Sequence, residues 1–128
     1  MERIIYFDTH VLIWLYSGEL NLFSKKSKEL IESCELLISP IVSLELKYLM
    51  EIKKITVKPD TIINQLKRTI GIKICSKRFE QVIEESIKHD WTRDPFDRII
   101  TAQASVSNSK LLTKDRFILK HYKKAVWE

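Results

Sequence analysis

The sequence predicts an α/β protein, a three-layer α/β/α sandwich with a central, mainly parallel sheet of four to five strands. Short apolar runs alternate along the chain with longer segments whose apolar residues recur at helical spacing, and this alternation is typical of a parallel sheet covered on both faces. The 128 residues contain no internal repeat, low-complexity tract or linker. Because this length is common for one domain, we expect a single domain over residues 1–128.

The first half of the chain predicts two strands and three helices. Gly18 is expected to end the first helix and Ser24 to cap the second, whose inner face would carry Ser27, Leu30, Ile31 and Cys34. The predicted strands span residues 3–7 and 36–38, and the predicted helices span residues 11–16, 24–34 and 41–52.

The second half predicts four more helices and three more strands. The helices span residues 60–70, 77–89, 94–107 and 116–119, and the strands span residues 72–75, 111–112 and 125–127. Apolar residues at helical spacing define the expected inner faces of the first two of these helices: Ile62, Ile63, Leu66 and Ile70 in one, and Phe79, Val82, Ile83 and Ile87 in the other.

Composition and charge narrow the possible functions. The net charge of +5 and the pI near 9.2 favour a polyanionic partner, but they fit an ordinary basic surface equally well. No apolar run approaches the roughly 18 residues of a membrane span, and residues 1–7 do not resemble a signal peptide, so we expect a cytoplasmic protein. Cys34 and Cys75 are expected to be buried, reduced thiols, and the scattered histidines do not predict a zinc site.

Two acidic residues follow predicted strands directly. Asp8 comes after the first strand, and Asp115 follows the fourth strand by way of Thr113 and Lys114. Ligands of open parallel sheets bind at the carboxyl ends of the strands, so these carboxylates should converge. Either aspartate alone could simply start a turn or cap a helix.

Three further acids lie on predicted helices. Glu45 falls within an apolar stripe formed by Ile41, Leu44, Tyr48, Leu49 and Ile52, where an ionised carboxylate needs a metal ion or a buried salt bridge to compensate it. We favour the metal. Asp94 fits the N-cap position of a helix that begins at Pro95, and Asp97 lies on the face of that helix expected to point towards the sheet edge.

Four carboxylates in one cleft would repel each other unless they bound hard divalent cations such as Mg²⁺ or Mn²⁺. Such cations support phosphodiester hydrolysis, and lysines outside the cleft would hold the nucleic acid backbone. The sequence therefore favours a metal-dependent nuclease. Arg98, Lys114 and Arg116 flank the acids and are candidate RNA contacts, although ordinary solvated charges would explain them equally well. His10 is expected to pack beside the site and not to act in catalysis.

Several short motifs occur in one order along nearly the whole chain. They are Asp8-Thr9-His10 through Trp14, Ser39-Pro40 with Glu45, Asp94-Pro-Phe-Asp-Arg98 with Ala102-Gln-Ala104, Leu112-Thr113-Lys-Asp115, and Trp127. Together they resemble PIN-domain ribonucleases, in particular the VapC toxins of type II toxin–antitoxin systems, in the subgroup that opens with Asp-Thr-His. The chain has Leu44 where this subgroup often has Trp, and Lys53-Lys54 where it often has Gly.

This resemblance implies a PIN-like sandwich, Mg²⁺- or Mn²⁺-dependent endoribonuclease activity on RNA, a cognate antitoxin, a homodimer, and a larger toxin–antitoxin assembly. By position, the family's acidic set falls on Asp8, Glu45, Asp97 and Asp115. Thr9 and Thr113 match supporting hydroxyl positions, and Asp94 matches a residue at the helix start whose role we expect to be mainly structural. We expect Asp8, Glu45 and Asp97 to hold a metal directly, and Asp115 to hold a second metal or to bind through water.

Other functions are weighed against this one. A catalytically silent partner-binding module of the same fold remains open, as does a PIN nuclease that acts on DNA or in RNA processing. A phosphoacceptor receiver domain is disfavoured because Asp8 stands alone after the first strand and the third strand ends in Cys75-Ser76. A phosphatase of the Asp-x-Asp type is disfavoured because position 10 is histidine.

Overall fold

The computed structural model describes residues 3–128; Met1 and Glu2, the start of the segment expected not to be a signal peptide, lie outside the described residues. Five strands form one sheet in the order β3-β2-β1-β4-β5, and every neighbouring pair is parallel. The strands are β1 (Ile4–Phe7), β2 (Glu35–Ile38), β3 (Lys73–Ile74), β4 (Lys110–Leu112) and β5 (Ala125–Val126). The predicted α/β fold with a parallel sheet of four to five strands is confirmed.

Helices connect the strands. They are α1 (Thr9–Tyr16), α2 (Lys25–Ser33), α3 (Ile41–Glu51), α4 (Pro59–Thr69), α5 (Phe79–Ile87), α6 (Pro95–Val106) and α7 (Arg116–His121). A short 3₁₀ helix at Leu20–Leu22 was not predicted. Within residues 3–128, no helix combines the length and the apolar character that a membrane crossing needs.

The central strand β1 shows that both faces of the sheet are covered. Successive side chains of a strand point to opposite faces, yet Ile5, Tyr6 and Phe7 are all buried. They belong to one hydrophobic cluster that also contains Leu12 of α1 and Ile100 of α6. Burial on both faces explains why β1 is a continuous apolar run and not an alternating one.

The strand order creates a switch point between β1 and β4. The chain passes from β1 outward to β2 and β3, then returns to place β4 and β5 on the other side of β1. Connections on the two sides of β1 therefore leave in opposite directions, and a crevice opens between the carboxyl ends of β1 and β4. Phe7 pairs with Leu112 at this end, so the residues after them start side by side.

Two helices bury a different face from the one predicted. On α3 the buried residues are Val42, Leu46 and Leu49, whereas Leu44, Tyr48 and Ile52 of the predicted stripe are exposed. On α5, Val82 is buried, but Phe79 and Ile87, which were predicted to face inward, are exposed. In both helices the apolar positions extend beyond the arc that the neighbouring elements cover, and periodicity alone does not show which part is covered.

Smaller differences concern the ends of elements. Helix α1 begins at Thr9, two residues before the predicted start, because the Asp8 side chain accepts a hydrogen bond from the Thr9 backbone N–H and caps the helix. Strand β3 is limited to Lys73–Ile74, and both of these residues are exposed. Cys34 is half-buried where a buried thiol was expected, Cys75 is buried, and neither forms a disulfide.

Three helices end in the same hydrogen-bonded motif, which requires a residue with positive φ. In α3, the N–H of Lys53 bonds to the carbonyl of Met50 and the N–H of Lys54 bonds to that of Leu49, the pattern of a Schellman motif. Gly18 and Asn108 occupy the positive-φ position after α1 and α6. After α3 that position is Lys53, with φ of 63°. A lysine side chain is strained in this conformation, which glycine adopts freely.

Lys53→Gly should therefore stabilise the protein. Removing the strained side chain is expected to raise the free energy of unfolding by about 1 kcal/mol, to be measured by urea denaturation. Lys54→Gly is the matched control, because Lys54 lies next to Lys53 and is absent from the positive-φ residues; it should lower stability or leave it unchanged. Equal effects of the two substitutions would contradict the assignment of strain to Lys53.

Candidate functional site

Five carboxylates meet at the crevice between β1 and β4. Asp8 follows β1 and caps α1, Asp115 lies beyond β4 and caps α7, Glu45 lies on α3, and Asp94 and Asp97 stand at the start of α6. All five line one cavity of about 390 Å³. The structure thus brings together Asp8, Glu45, Asp97 and Asp115, the acidic set inferred from the sequence.

Two buried threonines link Asp8, Glu45 and Asp115 through hydrogen bonds to two carboxylates and one backbone N–H. The Thr113 hydroxyl donates to Asp8 Oδ2 at 2.6 Å and accepts from the Asp115 N–H at 3.0 Å. The Thr9 hydroxyl donates to Glu45 Oε1 at 2.5 Å, and its N–H donates to Asp8 Oδ1 at 2.8 Å. Both threonines are fully buried, so their rotamers are held by packing. Thr9 and Thr113 therefore connect the positions of Asp8, Glu45 and Asp115.

The other two carboxylates lie together on α6 but make different contacts. Asp94 Oδ1 accepts from the N–H groups of Phe96 and Asp97, at 2.8 and 3.1 Å, and so caps the helix. The Asp97 side chain accepts no hydrogen bond from any residue of the described chain 3–128, although it lines the same cavity. Asp94 therefore has a structural role, whereas the structure gives Asp97 no such role.

Burial disfavours the charged forms of three of these acids, Asp8, Glu45 and Asp97. Burial raises the pKa of Asp8 above its usual range, although the Thr113 hydrogen bond acts in the opposite direction. Burial likewise raises the pKa of Glu45. Burial, with repulsion from Asp94 and Asp8, raises the pKa of Asp97 to about 7. Near neutral pH these acids thus hold negative charge that the surrounding residues do not fully compensate.

Several carboxylate oxygen atoms that line the cavity accept no hydrogen bond from the described residues. After the hydrogen bonds within residues 3–128 are assigned, Glu45 Oε2, Asp115 Oδ2 and both carboxylate oxygens of Asp97 have no partner. This all-oxygen donor set suits a hard divalent cation. However, no three His, Cys, Asp or Glu side chains of the described residues stand close enough to hold one ion in their present positions. Binding would therefore require the carboxylates to draw together.

The three predicted cationic contacts lie in different places. Lys114 lines the acidic cavity, and both Lys114 and Arg116 line a second, larger groove beside it. Arg98 lines neither; its guanidinium donates to the carbonyl oxygens of Ser86 and Ile87, both at 3.4 Å, and so binds the end of α5.

Two further residues of the cavity differ from what the sequence predicted. His10 was expected to be packed, but it is exposed and lines the cavity. It lies on the first turn of α1, which starts earlier than predicted, with its ring 6.2 Å from that of Trp14. Trp14 also lines the cavity and was not predicted to do so. Its position one turn after His10 was the available sequence signal.

Comparisons with known proteins agree with this architecture. Residues 5–124 match the PIN domain family. The VapBC2 complex of Rickettsia felis bound to a DNA fragment from its promoter contains a chain that superposes with a TM-score of 0.67 at 17% identity, covering 98% of this chain and 97% of that one. VapBC-1 from nontypeable Haemophilus influenzae gives a TM-score of 0.67 at 17% identity, with 98% and 96% covered.

A toxin–antitoxin complex from Klebsiella pneumoniae gives a TM-score of 0.62 at 21% identity, with 95% of each chain covered. No curated protein matched this sequence. At these identities the superpositions establish the fold, and the family match extends over nearly the whole chain.

The raised pKa values predict how stability depends on pH when metal is removed. An acid whose pKa is higher in the folded state stabilises the fold below its unfolded pKa, near 4, and this stability is lost as pH rises through the folded value, about 7 for Asp97. In EDTA, Asp97→Asn should therefore have a higher Tm than the unsubstituted protein. This difference in Tm should grow from about pH 5 to pH 7.5, where it should be about 4 °C.

The difference between the two proteins is the relevant measurement, by differential scanning fluorimetry. Burial lowers the pKa of His89, so this residue changes stability in the opposite direction within the same pH range. Because His89 is present in both proteins, its contribution cancels in the Tm difference. A Tm difference that does not change with pH would contradict the raised pKa of Asp97.

Proposed function

The chain belongs to the PIN-domain family, and from that premise we propose that it is a metal-dependent endoribonuclease acting as the toxin of a type II toxin–antitoxin pair. Membership of this family supports a hydrolase that cleaves nucleic acid. The observation that carries the proposal is the convergence of Asp8, Glu45, Asp97 and Asp115, from four separate elements, on one cavity at the switch point of the sheet.

Mg²⁺ or Mn²⁺ is the proposed cofactor. Asp8, Glu45 and Asp97 would hold the catalytic cation directly, and Asp115 would hold a second cation or bind through water, since all four supply only oxygen. When bound, a divalent cation activates water as a nucleophile and neutralises charge on the phosphate. Asp94 would contribute to the negative potential of the cavity while it caps α6.

The residues around the acids hold them in place and receive the substrate. Thr113 keeps Asp8 and Asp115 at a set separation, and Thr9 does the same for Asp8 and Glu45. The exposed ammonium group of Lys114 at the rim would bind a phosphate next to the one cleaved. His10 also lines the cavity, but the proposed hydrolysis does not require it as a base.

We propose a cognate antitoxin, a homodimer and a toxin–antitoxin hetero-oligomer as the partners. The solved structures that superpose on this chain include complexes described as VapBC or toxin–antitoxin. Exposed apolar side chains support a protein partner: Leu44, Tyr48 and Ile52 on α3, and Phe79 and Ile87 on α5. Apolar surface of this kind is commonly covered by another protein.

The same exposed apolar surface also favours a second candidate, a silent module that only binds a partner. Such a module would not need carboxylates positioned by buried threonines, and Mn²⁺ binding distinguishes the module from the nuclease. A PIN nuclease acting on DNA or in RNA processing would use the same chemistry. Only the nucleic acid that it cleaves distinguishes such an enzyme from the proposed toxin.

Purified protein in Mn²⁺ should cut total bacterial RNA at discrete positions, to be read by sequencing the new ends. EDTA and Asp8→Asn should both abolish these cuts, because each removes the proposed cation or one of its ligands. Cuts that survive both treatments would point to a contaminating nuclease. Cleavage of single-stranded DNA under the same conditions, with RNA left intact, would replace the ribonuclease by a deoxyribonuclease.

Mn²⁺ should stabilise the protein, by about 2.7 kcal/mol at a concentration one hundred times the Kd. Thr113→Val removes the hydroxyl that positions Asp8 and should weaken Mn²⁺ binding by about 10- to 100-fold, measured from the Tm as a function of Mn²⁺ concentration. Thr101→Val is the matched control, since Thr101 is also fully buried but its hydroxyl has no partner within residues 3–128. No gain in Tm with Mn²⁺ would favour the silent module.

A further inference from the structure

We propose that a groove beside the acidic cavity binds the phosphate backbone of the RNA strand on one side of the cleaved bond. This inference rests on the proposed function and adds a substrate-binding track to it. The groove has a volume of about 740 Å³ and runs along the edge strand β5 and helix α7. Six cationic side chains line it: Lys26, Lys110, Lys114, Arg116, Lys123 and Lys124.

The groove and the acidic cavity share Lys114, which lines both. A strand whose cleaved phosphate lies near Asp8 and Asp115 would therefore enter the groove past Lys114 without crossing another element. Strand residues advance by about 3.3 Å, so Lys110 lies up to roughly 13 Å along the chain from Lys114. Nucleotides advance by roughly 3.4 Å in a stacked strand, so the track would hold several phosphates.

The cations of the groove are largely free to bind a ligand. Lys26, Lys114, Arg116 and Lys123 are exposed, and within residues 3–128 none of them forms an ion pair. Lys124 donates to the Asn108 carbonyl oxygen at 2.9 Å, which fixes its position but leaves its charge uncompensated. Glu128 is the one carboxylate side chain among the groove residues of the described chain. So many like charges in one groove favour a polyanionic ligand.

The polyanion could be RNA or an acidic peptide, and the position of the groove favours RNA. A substrate track has to be continuous with the site where the bond is cleaved, and Lys114 provides that continuity. The apolar residues that line the groove are Leu119, Ala125, Val126 and Trp127. Trp127, the one aromatic residue among the groove residues of the described chain, is only 5% exposed and so presents little surface for base stacking. We therefore infer that the groove binds the backbone without regard to base sequence.

The test measures RNA binding as a function of salt. Asp8→Asn protein, which should not cut its ligand, is titrated against fluorescein-labelled single-stranded oligouridylate by fluorescence anisotropy between about 50 and 200 mM salt. In this background Lys26→Gln combined with Lys123→Gln should reduce the slope of log K against log salt by about 1.4, because each phosphate contact contributes about 0.7.

Lys28→Gln combined with Lys67→Gln is the matched control. Both residues are exposed lysines on helices α2 and α4, neither lines the groove, and the loss of charge is the same. This control should leave the slope unchanged. Equal slopes for the groove pair and the control pair would overturn the proposal. So would a poly-glutamate peptide that competes as well as RNA for the groove, since it would identify an acidic peptide as the ligand.

Failure of the groove and failure of the nuclease are distinguishable. If the unsubstituted protein cuts RNA in Mn²⁺ and the groove pair cuts as fast as the control pair at sub-saturating RNA, the nuclease stands and the groove proposal falls. If the groove pair alone loses the salt-dependent binding while the unsubstituted protein cuts nothing, the groove binds RNA and the proposed catalytic function falls.

Discussion

Negative charge concentrated at the carboxyl ends of two neighbouring parallel strands is the constraint on which the rest of this structure depends. Register places the residues after Phe7 and Leu112 side by side, so Asp8 and Asp115 start from adjacent points. Helices α3 and α6 bring Glu45 and Asp97 to the same cavity. Left mobile, these carboxylates would turn away from each other. Thr9 and Thr113 oppose this, because their hydroxyl groups hold the carboxylates of Glu45 and Asp8. The Thr9 N–H also binds Asp8, and the Thr113 hydroxyl accepts from the backbone N–H of Asp115.

The buried core offsets the unfavourable free energy of burying these carboxylates. Burial of Asp8 and Glu45 disfavours their charged forms, yet β1, which leads to Asp8, is among the most deeply buried parts of the molecule. A strand packed on both faces holds its end rigidly, so the acid that follows it has little freedom to relax. Rigidity of this kind fixes the backbone at Asp8, so the carboxylates would have to draw together around a cation by movement of their side chains.

Charge is separated over a short distance at this edge of the sheet. The acidic cavity and the cationic groove adjoin at Lys114, so one face of the protein carries both an acidic cavity and a strongly cationic groove. A net charge of +5 does not describe this distribution. Opposite charges gathered in adjoining sites would direct a nucleic acid along the groove and its phosphates towards the cation.

The sequence by itself determined the alternation of strands and helices, the parallel sheet, and the acids at the strand ends, because these depend on periodicity and on local capping residues. Tertiary structure alone decided which side of α3 is buried: Glu45 lines the cavity although the predicted stripe around it is partly exposed. It also assembled the groove from lysines as distant in sequence as Lys26 and Lys123. Burial and proximity are properties of neighbouring elements, and the pattern within one element cannot specify them.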